Sequence, residues 1–79
     1  MNPDNPFAGK PVAVTGKLVN YTRADINARL LDLGAKPVSV VSTRTSYLIV
    51  GERPGSMLDK ARLLGITILS EQEFEDMAV

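Results

Sequence analysis

The chain reads as a small α/β fold, a four-stranded, mainly parallel sheet flanked by three helices in the order βαββαβα. Three observations lead there. Short apolar runs rich in β-branched residues, each too short for a helix, alternate with stretches whose apolar residues recur at helical spacing. Ser or Thr followed three residues later by Asp or Glu recurs ahead of those stretches, the pattern of a reciprocal helix cap. Glycine closes two of them, where a chain leaves a helix through positive φ. Strands and helices alternating in this way bury a sheet on both faces.

Residues 1–6, with two prolines and two asparagines, are expected to form a linker, and residues 7–79 a single domain that starts at Phe7. The run Pro11-Val12-Ala13-Val14 lacks polar alternation, as expected of a parallel strand covered on both faces. Over residues 22–33, Ile26, Leu30 and Leu33 fall on one stripe, with Thr22 as N-cap, Asp25 as its box partner and Gly34 just past the end. Pro37–Val41 and Tyr47–Val50 read as the second and third strands, separated by the polar turn Ser42–Ser46. Ser56 and Asp59 repeat the capping pattern before Met57, Leu58, Ala61 and Leu64, a stripe closed by Gly65. Ile66–Leu69 reads as the fourth strand. Ser70 and Glu73 then open a last helix with Phe74 and Met77 inward.

At 79 residues there is room for one domain. With neither cysteine nor histidine, disulfides, thiolate–imidazole metal sites and Ser-His or Cys-His nucleophile pairs are excluded. No long apolar run or basic leader stands out, so a soluble, cytoplasmic chain without membrane association is expected. The formal charge is zero but unevenly placed. Residues 1–62 hold all nine Lys and Arg against five acidic residues, whereas residues 63–79 hold only acidic ones, Glu71, Glu73, Glu75 and Asp76. Glu73 is assigned to capping and the others to a solvated helix face, not to acid–base chemistry or a cation site.

The residues that suggest a ligand cluster at the first strand's carboxyl end, where open α/β sheets collect their ligands. Thr15 offers a hydroxyl, Gly16 a backbone that an oxyanion can approach, and Lys17 a charge. Arg23 falls in the first turn of the first helix, where free N–H groups already favour an anion and a guanidinium can grip phosphate at two points. Lys60, one turn into the second helix, supplies a further point charge. The same residues also suit a tight strand-exit turn with solvated bases. A P-loop does not fit: the glycine spacing is too long, and Leu18 stands where Ser or Thr would ligate magnesium. The Thr43-Arg44-Thr45-Ser46 run is expected to stabilise its own turn, and Tyr21 and Tyr47 are too sparse for a stacking platform, although Tyr21 is expected near the anion site.

The pattern Phe7-Ala8-Gly9-Lys10, Val14-Thr15-Gly16, Leu33-Gly34-Ala35-Lys36, Leu48–Glu52, Pro54-Gly55-Ser56, Lys60-Ala61 and Leu64-Gly65-Ile66 resembles the BRCT domain family across about residues 7–78. One departure is Phe74, where many members carry tryptophan. Within the family the chain is most similar to the single domain of bacterial NAD-dependent DNA ligases, with polymerase III-type exonucleases as the alternative parent. The resemblance implies a non-catalytic, monomeric module of a replication or repair enzyme that binds 5′-phosphorylated DNA ends or nicks, without cofactor or metal. In the family member from eukaryotic replication factor C, residues matching Thr15, Gly16, Arg23 and Lys60 hold the 5′-phosphate of duplex DNA; with Lys17 they form the expected binding set. The rival expectation is a protein-interaction module that docks a replication or repair partner, self-associates or takes a phosphopeptide.

Overall fold

The structure, a computed structural model, describes residues 6–78, so nearly all of the expected linker, residues 1–5, and Val79 lie outside the described residues. The elements are β1 (Pro11–Thr15), α1 (Arg23–Asp32), β2 (Lys36–Val38), β3 (Tyr47–Val50), α2 (Ser56–Leu64), β4 (Thr67–Ser70) and α3 (Glu71–Met77). The strands run in the order β2-β1-β3-β4 and every pair is parallel. All strand carboxyl ends therefore share one edge, onto which the loops leading into the helices open.

Alternation along β1 sorts the core into two layers. Val12 and Val14 pack with Ile26 and Leu30 of α1, with its C-cap Leu33, with Phe74 of α3 and with Phe7. Ala13 faces the other way, into a smaller cluster with Val41, Leu48 and Ala61 of α2. Thus α1 and α3 cover one face and α2 covers the other. Thr15, in phase with Ala13, belongs to the α2 side. Phe7 closes the first layer: its ring meets Tyr47 edge-on at 5.1 Å and Phe74 at 5.2 Å.

Two of the expected caps form as reciprocal boxes. Asp25 N–H donates to Thr22 Oγ1 at 3.1 Å while Thr22 N–H donates to Asp25 Oδ2 at 3.4 Å, and Ser70 and Glu73 repeat the exchange at 3.1 Å in both directions. The third does not. Gly55 is the N-cap of α2, extended and without a side-chain bond, and Ser56 is already helical, so its hydroxyl is one position too late to cap. Gly65 closes α2 at φ 72° as expected.

Two strands shift. β2 ends at Val38, not Val41, because the chain must cross over β1 to reach the far side of the sheet. The crossing leaves Val40 exposed and buries Val41 beneath α2. β4 starts one residue later than expected, at Thr67, and ends at Ser70. Leu64, in the last turn of α2, is 37% exposed, so the inward stripe is Met57, Leu58 and Ala61. The Ser42–Ser46 turn does bond to itself: Ser42 N–H donates to Thr45 Oγ1 at 3.0 Å and Thr45 N–H to the Ser42 carbonyl at 3.0 Å.

Candidate functional site

The exit of β1 is locked to the exit of β3. Gly51 N–H donates to the Thr15 carbonyl at 2.9 Å, and Lys17 and Glu52 exchange backbone hydrogen bonds of 2.8 Å each way. Gly16 sits at φ +80°, and a β-carbon there would lie 2.6 Å from the Glu52 carbonyl oxygen. A β-carbon on Gly51 would collide with the Lys17 carbonyl oxygen. Both glycines are thus demanded by two backbones crossing at close range, whatever else binds there.

Arg23 reaches back to this crossing. Val14 lies one residue beyond the last register pair with β2, Ala13 with Val38, so its carbonyl has run past its partner strand. Arg23 Nη1 donates to that carbonyl at 3.1 Å. The bond anchors the guanidinium at the carboxyl edge of the sheet and leaves most of its donors for a ligand. A cleft of about 500 Å³ opens there, lined by Val14, Gly16, Lys17, Leu18, Tyr21 and Arg23 among others. Gly16 and Lys17 also line a second cleft of about 430 Å³ with Glu52 and Arg53.

The five expected site residues therefore divide. Gly16, Lys17 and Arg23 meet at one cleft. Thr15 is 6% exposed and directed to the α2 side, behind the Gly16 backbone. Lys60 is an exposed residue of α2, on the opposite face from α1, and lines neither cleft. Arg53 lines the second cleft with Gly16 and Lys17, held at φ 52°, unusual for a residue with a β-carbon. Nothing in its local sequence marked it, since its place depends on β3 leaving the sheet next to β1.

Two acidic residues are more than solvated charge. Glu71, at the start of α3, accepts from the Val19 and Asn20 N–H groups through its two carboxylate oxygens, each at 2.7 Å. It thereby fixes the β1–α1 loop that walls the main cleft. Burial first, then the nearby Glu75 carboxylate, push the Tyr21 phenol's pKa up against an opposing pull from Arg29. Tyr21 also packs edge-on against Phe74, with centroids 6.1 Å apart. No sequence signal marked Glu71, because the loop it holds lies about fifty residues away.

Among the described residues, no group of three His, Cys, Asp or Glu is placed to hold a metal ion, and no helix is long and apolar enough to cross a membrane. A sequence profile described as the BRCA1 C Terminus (BRCT) domain matches residues 2–78. The DNA ligase of Clostridium perfringens (strain SM101 / Type A) is 55% identical over 74 residues, which make up 94% of this chain and 11% of that protein. The DNA ligase of Clostridium botulinum (strain Kyoto / Type A2) is 49% identical over 73 residues, 92% of this chain and 11% of that protein. The chain thus spans about 11% of the length of these relatives. A profile match across almost the whole sequence, joined to a parallel four-stranded sheet with helices on both faces, makes this chain a member of the BRCT domain family.

Proposed function

We propose that residues 7–79 form the single, non-catalytic BRCT domain of a bacterial, cytoplasmic NAD-dependent DNA ligase, and that it recognises DNA ends or nicks through their 5′-phosphate. The observation that carries the reading is Arg23, anchored to the Val14 carbonyl beside the Gly16–Lys17 backbone in one cleft. A fixed guanidinium beside a glycine turn and a helix start is suited to a phosphate with charge to spare. Relatives named DNA ligase favour a ligase over an exonuclease parent. Thr15 and Lys60 join the phosphate set on this reading, acting from the α2 side, and Arg53 adds a charge beside Gly16 and Lys17.

The test is a titration with duplexes that differ only in carrying a 5′-phosphate or a 5′-hydroxyl. Charge-assisted bonds to phosphate are worth about 1.5–3 kcal/mol, so Arg23→Ala should weaken binding to the phosphorylated end at least ~10-fold and the hydroxyl end far less. Arg62→Ala, in the last turn of α2, is the control. Arg29 is unsuitable for that purpose, because its guanidinium donates to the Ala78 carbonyl at 3.4 Å and ties α1 to the end of the chain. Local end recognition also predicts a shallow salt dependence, on the order of two to four phosphate contacts. Equal affinity for closed circular DNA would defeat the reading.

A second reading, docking of a protein partner, is favoured by Leu63, which stands 87% exposed on α2 beside Leu64. Leu63→Glu would then abolish partner binding or self-association while leaving DNA titrations unchanged.

A further inference from the structure

The main cleft is built for more than a phosphate. Its volume of about 500 Å³ is that of a small-molecule site. Its accessible apolar surface comes from the half-buried Tyr21 and the exposed Val19, which stand above the buried core side chains of Val14, Leu18 and Ile26. A phosphate gains nothing from such a wall, since apolar surface around an anion only strips its water. The charged groups are Arg23, held by the Val14 carbonyl, Lys17 beside Gly16, and Asp25, whose carboxylate accepts from the Thr22 N–H in the helix cap. Asn20 adds a side-chain amide, which has both a donor and an acceptor, and its backbone is pinned by Glu71 at 2.7 Å. The occupant that matches this arrangement carries an anion and a flat, largely apolar body joined by a short linker, with polar atoms along the body's edge.

We propose that the cleft takes the whole 5′-terminal nucleotide, with the phosphate at Arg23 and Gly16 and the unpaired base against Tyr21 and Val19. This rests on the 5′-phosphate reading and deepens it. To enter, the base must leave its partner in the duplex, which costs least where the terminal pair is mismatched or absent. Stacking on Tyr21 returns part of that cost. The domain therefore prefers a frayed or mispaired 5′-phosphorylated end over a stably paired one. The nucleotide is favoured over a phosphorylated peptide because its linker is short and its planar body suits an aromatic ring.

The test uses the 79-residue chain and hairpin duplexes with a 5′-phosphorylated blunt end whose terminal position is a G·C pair, a mismatch or an abasic sugar, each with a 5′-hydroxyl twin. The mismatched end should bind more tightly than the G·C end. Removing the base should weaken binding about 5- to 150-fold relative to the mismatch, the range of base–aromatic stacking. A 2-aminopurine at the terminal position should change its emission on binding only when the phosphate is present. Tyr21→Leu, checked for folding by its melting temperature, should lose the distinction between mismatch and abasic ends and keep the distinction between phosphate and hydroxyl. Abasic and mismatched ends that bind equally, with phosphate dependence intact, would overturn the nucleotide cleft and leave the end-recognition reading standing. Loss of phosphate dependence across all the duplexes would overturn both, as would a phosphoserine peptide that displaces every end.

Discussion

Glu71 offers the most direct check on how the cleft is held. Its two carboxylate oxygens accept from two consecutive backbone N–H groups, at Val19 and Asn20, each at 2.7 Å. Glu71→Ala removes both acceptors at once and also a negative charge from the first residue of α3, where the helix dipole favours one. Hydrogen bonds to a charged group are worth about 1.5–3 kcal/mol when shielded. These are exposed, so about 0.5–1 kcal/mol each is the appropriate scale, with a few tenths more for the dipole. The expected loss is about 1–2 kcal/mol, which in a domain of this size lowers the melting temperature by roughly 4–15 °C. Glu71→Gln should not rescue it, because glutamine sets one oxygen and one NH₂ group against two donors. Hydrogen exchange is the discriminating assay: the Val19 and Asn20 amides should both lose protection in Glu71→Ala and one of them in Glu71→Gln, while amides in β1 keep theirs. Unchanged exchange at those two positions would refute the assignment, whatever happens to the melting temperature.

Three further outcomes follow from the same geometry. Gly16→Ala places a β-carbon 2.6 Å from the Glu52 carbonyl oxygen at positive φ, so a cost of about 2–4 kcal/mol is expected by chemical denaturation, and an unchanged midpoint would contradict the crossing of the two strand exits. Phe74→Ala removes a fully buried ring that packs on Phe7 and Tyr21 and should cost ~3–5 kcal/mol; a loss below about 1 kcal/mol would mean α3 is not docked through it. For Tyr21, a phenol pKa raised in the folded state adds stability that is fully present below about pH 10 and lost as pH rises through the raised value, so Tyr21→Phe should show a smaller decline in melting temperature across that window than the parent chain. Parallel declines would show that the phenol is not held.

How much of this was legible along the chain depends on the range of each interaction. The boxes at Thr22–Asp25 and Ser70–Glu73, the glycine end of α2 and the Tyr47–Val50 strand are set by residues within a few positions of one another, and the structure reproduces them. The cap of α2 shows the limit of that reasoning. The motif was present, but the chain arriving from the β3 exit put Gly55, not Ser56, in the extended position. The shortened β2 has the same origin: a strand placed beside β1 must be left early if the next strand is to pair on β1's other edge.

The candidate site divides along the same line. Gly16, Lys17 and Arg23 are close in sequence and surround one strand end, so their residue types and spacing were enough to bring them together. Lys60 and Arg53 could not be ranked in that way, because which of them flanks Gly16 depends on the order of strands across the sheet and on how β3 turns away from it. Glu71 lies at the extreme, since a carboxylate on an exposed helix face looks the same in sequence whether water or a distant loop receives it. Hydrogen-bond donors some fifty residues away become its partners only after the sheet has closed and brought the start of α3 against the β1–α1 loop.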